Sequence, residues 1–173
     1  MADAELLYEW KNDKETIENS ITKRGVTMEE HLKWLQGVID NPQRQLYILE
    51  VDGVDVGQLR LDLSVLVNGN VAVGNGIREE IENVNENETE SIAEISYGLG
   101  SKYRGKGLGK VLLEQAELQA NEYEIGELIA EVLPHNVPSR KLFRKLGYEE
   151  EKRQDLYIYK KRICQKKIYE KEC

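Results

Sequence analysis

The sequence predicts an α/β (α+β) protein in which helices flank one mixed sheet. Its second half alternates short apolar segments of strand length with amphipathic segments of helix length, which favours strand–helix–strand units. Its first half contains two adjacent extended segments joined by a turn, as in a β-hairpin. A length of 173 residues, with 40% hydrophobic and 32% charged residues, suits a single globular domain spanning 1–173.

Three short helices are predicted in the N-terminal quarter of the chain. The first follows Asp3, which can cap it, and the second lies at about 15–19. The third begins at Thr27, where Glu30 completes a capping box. Its apolar residues recur along one helical stripe, which predicts the buried face as Met28, Leu32, Leu35 and Ile39.

The strands follow these helices. Asp52-Gly53 is a turn signal between two predicted strands, Gln45–Val51 and Val54–Leu63. Residues 66–92 are rich in Asn, Gly and acidic residues, which predicts an irregular insertion whose first part can extend the hairpin to Val73. Further strands are predicted at 93–99, 127–133, 148–153 and 155–163, with two helices between them and a charged tail at 164–173.

Charge and cysteine content narrow the class of function. The chain has 24 Lys and Arg against 32 Asp and Glu, a net charge of −8, which argues against broad nucleic-acid binding. Cys164 and Cys173 are too few for a disulfide framework or a zinc site. No apolar run reaches the ~20 residues of a membrane helix, and Met1–Glu5 lacks signal-peptide features. We therefore expect a cytoplasmic monomer or homodimer without a metal, a membrane or a nucleic-acid partner.

The strongest functional signal is a glycine-rich turn between a predicted strand and a predicted helix. The turn reads Arg104-Gly105-Lys106-Gly107-Leu108-Gly109-Lys110. Glycines let successive backbone N–H groups converge on one point, and the helix N-terminus adds partial positive charge. Basic side chains at 104, 106 and 110 add attraction for an anion. The pattern predicts a pyrophosphate site, and the alternative is a turn that merely connects strand to helix.

Two common phosphate motifs do not fit this turn. A P-loop requires Ser or Thr after Lys106, where Gly107 stands, which disfavours a nucleotide hydrolase. The glycines alternate instead of following the dinucleotide-binding spacing. The remaining candidate is a ligand whose pyrophosphate is bound without a metal ion, and coenzyme A is the common ligand of this kind.

Residues 93–110, AEISYGLGSKYRGKGLGK, resemble the acyl-CoA motif of the GNAT superfamily of N-acetyltransferases. A second GNAT motif follows at about the usual distance, with Glu131-Val132, Asn136-Val137-Pro138-Ser139, Leu142-Phe143 and Leu146-Gly147-Tyr148. The resemblance covers about 3–163 except the insertion, which is longer than usual, and the family's first strand is missing or shortened. It implies a GNAT fold: a mixed, mostly antiparallel central sheet, splayed between its fourth and fifth strands and flanked by helices.

The resemblance also implies a cofactor site and a reaction. Acetyl-CoA would lie in the gap between the splayed strands and pass its acetyl group to a primary amine by direct attack. An N–H group near Leu99 would polarise the thioester carbonyl. The cofactor-binding residues would be Gly98, Leu99, Arg104, Gly105, Lys106, Gly107, Leu108, Gly109, Lys110, Asn136, Ser139 and Phe143. For Asn136, a helix N-cap is a second role.

Glu131 matches the position of a general base in several family members, and Glu94 is the second candidate. A solvated strand residue is the alternative for Glu131, and a surface or structural role is favoured for His135. Many family members have a tyrosine acid where this chain has Phe143. Tyr148 is the nearby candidate acid, although the motif does not support it.

The N-terminal segment is similar to acetyltransferases of the pseudaminic-acid pathway, which act on a 4-amino group of a UDP-linked amino-sugar. The similarity rests on 10–13, 19–20 and 30–34, and on 58–62. It implies acceptor contacts by Trp10, Asn12, His31, Trp34 and Arg60. The alternatives are that both tryptophans complete the core and that Arg60 lies on the surface. Rival functions are acetylation of a protein N-terminus or small amine, and a non-catalytic acyl-CoA-binding module.

Overall fold

The structure, a computed structural model, describes residues 3–67, 70–73 and 89–164. Its helices are α1 (Ala4–Asn12), α2 (Lys14–Glu18), α3 (Met28–Ile39), α4 (Leu108–Glu122) and α5 (Val137–Lys145). Its strands are β1 (Arg44–Val51), β2 (Val54–Val67), β3 (Asn70–Val73), β4 (Thr89–Leu99), β5 (Glu127–Val132), β6 (Glu149–Lys152) and β7 (Tyr157–Arg162). Among these elements, no helix is long and apolar enough to span a membrane.

All seven strands belong to one mixed sheet of order β1-β2-β4-β5-β7-β6, with β3 paired to the end of β2. Both predicted hairpins, β1–β2 and β6–β7, are confirmed. Strand β3 shows that the first hairpin extends as predicted, whereas β4 begins at Thr89, earlier than the predicted Ala93. Residues 74–88 of the predicted insertion and 165–173 of the predicted tail lie outside the described residues.

The sheet splays between β4 and β5, as the family resemblance implied. These strands pair in parallel only from Ile92↔Glu127 to Glu94↔Ile129. Beyond that point β4 continues to Leu99 on its β2 partner, and β5 continues to Val132 on β7. Within the described chain, the facing edges of the two strands are therefore unpaired and form a V-shaped gap.

Helices cover the two faces of the sheet unequally. On one face, α4 and α5 pack on the main core, which includes Leu59, Leu61, Leu113, Leu128 and Phe143. On the other face, α1 and α3 cover β1 through a smaller core of Ala4, Leu7, Trp10 and Leu35, which packs against Leu46 and Ile48. The described part of the chain before β1 contains helices and no strand.

The buried face of α3 differs from the predicted stripe. The capping box of Thr27 and Glu30 is present, but the buried residues are His31, Leu35 and Val38. Leu32 and Ile39, predicted to be buried, are 38% and 54% exposed. The helix is rotated because His31 satisfies its ring N–H inside the core and can therefore take the place of an apolar residue.

Candidate active site

The glycine-rich turn forms the predicted connection between β4 and α4. Gly105 and Gly107 have φ of +73° and +82°, values that glycine adopts without the steric cost of a side chain. Gly107 is the N-cap of α4, and its carbonyl accepts a hydrogen bond from Lys110 N–H at 3.0 Å. A Cβ at either glycine would meet no atom within 4 Å, so an open space faces both. The turn of residues 104–110, here called the cradle, thus borders an open, electropositive helix start.

The third glycine of the cradle serves packing. A Cβ on Gly109 would lie 3.1 Å from Leu142 Cδ2, so this glycine allows α4 to approach α5. Gly100, before the cradle, has a similar role, because its Cβ would lie 2.8 Å from Trp10 Nε1. Gly98 is less constrained, since a Cβ there would meet only Gln58 Nε2 at 4.0 Å.

The three basic side chains of the cradle point to different partners. Lys110 pairs with Glu114 at 3.0 Å, and the Lys106 Nζ lies 5.5 Å from the Tyr103 ring centre. Arg104 was predicted to bind the cofactor, but its side chain points toward α2. Its guanidinium donates to the carboxylates of Asp13 and Glu15 and to the Thr16 hydroxyl. Partial burial raises the pKa of Asp13, but hydrogen bonds from Arg104 and from the Thr16 N–H outweigh it and hold that pKa below its usual value. Arg104 therefore binds the cradle to α2.

A second contact joins α2 to the other arm of the gap. His135, in the loop after β5, donates from Nε2 to the Glu18 carbonyl at 2.9 Å. This contact confirms the structural role favoured for His135. Helix α2 thus bridges the loop after β4 and the loop after β5.

Three carboxylates line one face of the sheet where the gap begins. Asp62 on β2 pairs in register with Glu94 on β4. Glu94 pairs with Ile129 on β5, so Glu131, two residues further on, points to the same face. Burial raises the pKa of Glu94, the charges of Glu131 and Asp62 raise it further, and Arg60 opposes them. Glu94 therefore lies beside the open part of the gap, exposed at the surface of the sheet, and its surroundings raise the pKa of its carboxylate above the usual value.

The candidate acid Tyr148 lies in the core. Its ring is 5.0 Å from that of Phe143 and 5.3 Å from the Lys161 Nζ, and its hydroxyl is buried without a hydrogen-bond partner in the described chain. Burial, followed by the nearby Glu117 charge, raises its pKa. Phe143 is only 1% exposed and stacks on Tyr159, so it contributes to packing.

The remaining residues of the second motif form the start of α5. Asn136 is the N-cap, and its Oδ1 accepts from the Ser139 N–H at 3.3 Å, so the predicted capping role is confirmed. The Ser139 hydroxyl lies 2.9 Å from the Tyr97 hydroxyl and links β4 to α5 across the mouth of the gap. Burial raises the pKa of Tyr97, and the Ser139 hydrogen bond acts in the opposite direction.

Three of the five predicted acceptor residues have structural contacts. His31 is 2% exposed and donates from Nε2 to the Ala4 carbonyl at 2.9 Å, and burial lowers its pKa. Asn12 bonds to the backbone of Val26 in both directions, at 2.9 Å and 3.1 Å. Trp10 packs in the smaller core and forms a wall of a cavity of about 520 Å³ beside Gly100 and Val54. The first two are therefore withdrawn from the gap.

Trp34 and Arg60, the other two predicted acceptor residues, remain half-buried. The Arg60 guanidinium lies 5.7 Å from the Trp34 ring centre, and its Nη2 is 2.9 Å from the Asp62 carboxylate. Asp62 was not predicted as a member of this site, and neither was Lys11, whose pKa is lowered by burial and by the charge of Arg60. Strand alternation places Asp62 on the same face as Arg60, but only the β2–β4 register brings it beside Glu94.

A mixed sheet splayed between β4 and β5, with a glycine-rich turn leading from β4 into α4, is the arrangement that the resemblance to the GNAT superfamily implies. The chain matches the model of the acetyltransferase (GNAT) domain over residues 1–149 and belongs to that family. It is 33% identical over 125 residues to a Bacillus subtilis (strain 168) protein named "Putative phosphinothricin acetyltransferase YwnH". That alignment covers 72% of this chain and 64% of the relative's length.

Solved structures show the same fold. A crystal structure described as that of "a putative phosphinothricin N-acetyltransferase" is 25% identical to this chain, with a TM-score of 0.67 and coverage of 94% of both chains. An aminoglycoside acetyltransferase, AAC(6')-Ib, in complex with coenzyme A is 22% identical, with a TM-score of 0.69 and coverage of 93% of this chain and 90% of the other.

Proposed function

We propose that this protein is an N-acetyltransferase that transfers the acetyl group of acetyl-CoA to a primary amine. The observation that carries the proposal is the unpaired edge of β4, which connects the cradle with the carboxylates of Glu94 and Glu131. A pantetheine arm needs such a free backbone edge, and the open space at Gly105 and Gly107 suits a diphosphate. Family membership and the coenzyme A complex of the aminoglycoside enzyme support the same ligand.

In this proposal each part of the site has one task. The cradle N–H groups hold the diphosphate, and the free edge at 95–99 aligns the arm and supplies an N–H group to the thioester oxygen. The amine nitrogen attacks the thioester carbon, and the carbon–sulfur bond breaks as the amide forms. Glu94 accepts the proton lost by the amine, directly or through one water, and the charge of Glu131 tunes its pKa. The thiolate leaves with the electron pair of the broken carbon–sulfur bond and takes a proton from water, because Tyr148 is buried in the main core.

Two acceptor classes are candidates. A nucleotide-linked amino-sugar is suggested by the similarity of the N-terminal segment. However, His31 of that segment is buried and bonded to the Ala4 carbonyl, and Asn12 bonds to the backbone of Val26. An amino acid of the phosphinothricin type is suggested by the name of the Bacillus subtilis relative. The second class is favoured by Lys11, a partly buried cation whose ammonium suits an acceptor that carries an acid.

The proposal is tested by measuring free-thiol release from acetyl-CoA with a UDP-4-amino-sugar, phosphinothricin and an N-terminal peptide as acceptors, with mass analysis of the products. We expect acetyl-CoA-dependent acetylation of at least one amine and a loss of roughly 100-fold or more in Glu94→Gln. The exposed Glu29 on α3 provides a matched control, because Glu29→Gln lies away from the gap. A protein that binds acetyl-CoA but acetylates no amine would be the non-catalytic binding module instead.

A further inference from the structure

We propose that Lys11 is a specificity residue that binds an anionic group of the acceptor, so that the substrate is an amine carrying an acid. The inference rests on the proposed function and names the acceptor chemistry of the same site. It is drawn from a cluster of cations at the end of α1, defined here as Lys11, Arg24 and Arg60.

Lys11 is a partly buried cation with no acidic partner among the residues that the structure describes. In the described chain its Nζ has one hydrogen bond, to the Ser20 hydroxyl at 3.4 Å, and no ion pair. Burial lowers the pKa of Lys11, and the charges of Arg60 and Arg24 lower it further. Withdrawing an ammonium group from water without an acidic partner is unfavourable. An anionic ligand would compensate for this cost.

The other two cations already have carboxylate partners. Arg24 pairs with Glu30 at 3.1 Å, and Arg60 pairs with Asp62 at 2.9 Å. The charge of each guanidinium is therefore largely balanced by its own carboxylate partner. Lys11 keeps free N–H donors for a ligand, since an ammonium has three.

This cationic cluster lies next to the carboxylates of Asp62, Glu94 and Glu131 on the same face of the sheet. Arg60 is common to both, because its guanidinium pairs with Asp62 and its strand position is opposite Ser96, two residues from Glu94. Trp34, under the Arg60 guanidinium, forms an apolar wall beside it. An acceptor with its amine toward Glu94 and an acid toward Lys11 would complement the charges of both groups. The diphosphate of a nucleotide sugar is the second source of such an anion.

The proposal is tested with matched acceptors at saturating acetyl-CoA. Each of several L-amino acids and phosphinothricin is compared with its carboxamide, and a UDP-4-amino-sugar is compared with the free amino-sugar. We expect the wild-type kcat/KM to favour the acidic member by about 10- to 100-fold, as for one charged hydrogen bond. Lys11→Met should bring this ratio near one, and Lys11→Arg should restore part of it. Lys33→Met, at an exposed α3 lysine, should leave the ratio unchanged.

The possible outcomes separate the two proposals. Equal rates for acids and amides in the wild type, or an equal loss on both in Lys11→Met, would overturn the role of Lys11 while leaving the transferase in place. Absence of turnover with every amine would overturn both. Preference for the UDP-sugar over the free sugar, with amino acids unreactive, would assign the anion to a diphosphate. The acetyl-CoA affinity and Tm of Lys11→Met are measured in parallel, and both should match the wild type.

Discussion

Two carboxylates on neighbouring strands, Glu94 and Glu131, are the candidates for the base, and the charge of Glu131 raises the pKa of Glu94. The register places them on one face at the apex of the gap. Burial is the largest cause of the raised pKa of Glu94, and the Glu131 charge is the next. A base with a raised pKa accepts a proton from an ammonium more readily than an ordinary carboxylate does. This favours Glu94 as the acceptor of the proton and Glu131 as the residue that tunes it.

This assignment predicts a change in the pH dependence of kcat/KM in Glu131→Gln. Removing the negative charge of Glu131 stabilises ionised Glu94 and therefore lowers its pKa. The acid limb of the pH profile should move to lower pH, while kcat at high pH falls by less than about tenfold. The profile is measured from pH 5 to 9, with acceptor and acetyl-CoA varied separately.

The matched variants decide between the two carboxylates. Glu94→Gln should remove the acid limb and lower kcat/KM at all pH values by roughly 100-fold or more. If Glu131→Gln instead abolished turnover and Glu94→Gln only shifted the profile, the two roles would be exchanged.

The residue-level predictions succeeded where local pattern is sufficient. The Asx pattern identified Asn136 as a helix cap, and the cap is present. Glu94 and Glu131 came from the family resemblance instead, and their catalytic roles stay predictions. The pairing of Arg104 with Asp13 and Glu15 was not predictable, because it joins residues about ninety positions apart. Nothing in the local pattern distinguishes a guanidinium facing a ligand from one facing a helix.

At the scale of elements, the cradle depends on the backbone conformation of its glycines. Gly107→Ala would force a side chain into φ of +82°, at a cost of about 1 kcal/mol, and would place a methyl group in the open space proposed for the diphosphate. We expect acetyl-CoA to bind at least tenfold more weakly, which is ~1.4 kcal/mol. Isothermal titration with acetyl-CoA measures the change.

Gly53 is the matched control for this variant. It has φ of +76° and open space around it, but it lies in the β1–β2 turn. Gly53→Ala should therefore cost similar stability and leave the acetyl-CoA affinity unchanged. Equal affinity losses in the two variants would indicate that strain, and not the cradle, controls binding.

Helix α2 is held by Arg104, and this contact predicts a pH-dependent contribution to stability. The lowered pKa of Asp13 means that its stabilising effect is present above its unfolded pKa of 3.8 and is lost as the pH falls through the folded value. Arg104→Gln should lower the free energy of unfolding by about 1–3 kcal/mol at pH 7. The difference from the wild type should shrink below about pH 4. Urea unfolding over this pH range measures it.

The same variant tests the direction in which Arg104 points. Lys102→Gln, at an exposed neighbour, should leave stability within about 0.5 kcal/mol of the wild type. Acetyl-CoA affinity should change less in Arg104→Gln than in Gly107→Ala, because the guanidinium faces α2. Unchanged stability with a large loss of acetyl-CoA affinity would instead support the original prediction that Arg104 binds the diphosphate.

Element boundaries were predicted more accurately than element faces. The capping box correctly located the start of α3, since it is a local signal. The buried stripe was wrong because a polar residue, His31, occupies the core and two apolar residues, Leu32 and Ile39, do not. Periodicity counts residue types, whereas the hydrogen bond from His31 to Ala4 depends on how α3 packs against α1.

At the scale of the whole molecule, the site is created by an interruption of the sheet. Each arm of the gap keeps one strand partner, β2 for β4 and β7 for β5, so the splay leaves both arms supported. The linked hydroxyls of Tyr97 and Ser139 and the two contacts of α2 connect the arms across the opening. Local sequence patterns predicted most of the strands and both hairpins. The splay followed only from the family resemblance, because pairing between β4 and β5 is a long-range property.

A ligand that occupies this gap contacts both arms of the sheet and should stabilise the fold as a whole. At a concentration 100-fold above its Kd, acetyl-CoA would add about 2.7 kcal/mol to the free energy of unfolding, because it binds the folded state alone. For a domain of this size that corresponds to a rise in Tm of roughly 5–10 °C. Differential scanning fluorimetry with acetyl-CoA, coenzyme A and ATP with magnesium measures the effect, and ATP should give little or no shift because it lacks the pantetheine arm that pairs with β4. Coenzyme A should stabilise nearly as much as acetyl-CoA, since the two share the diphosphate and the arm. A larger shift with ATP and magnesium would mean that the cradle binds a nucleotide phosphate, and the gap between β4 and β5 would then need another explanation.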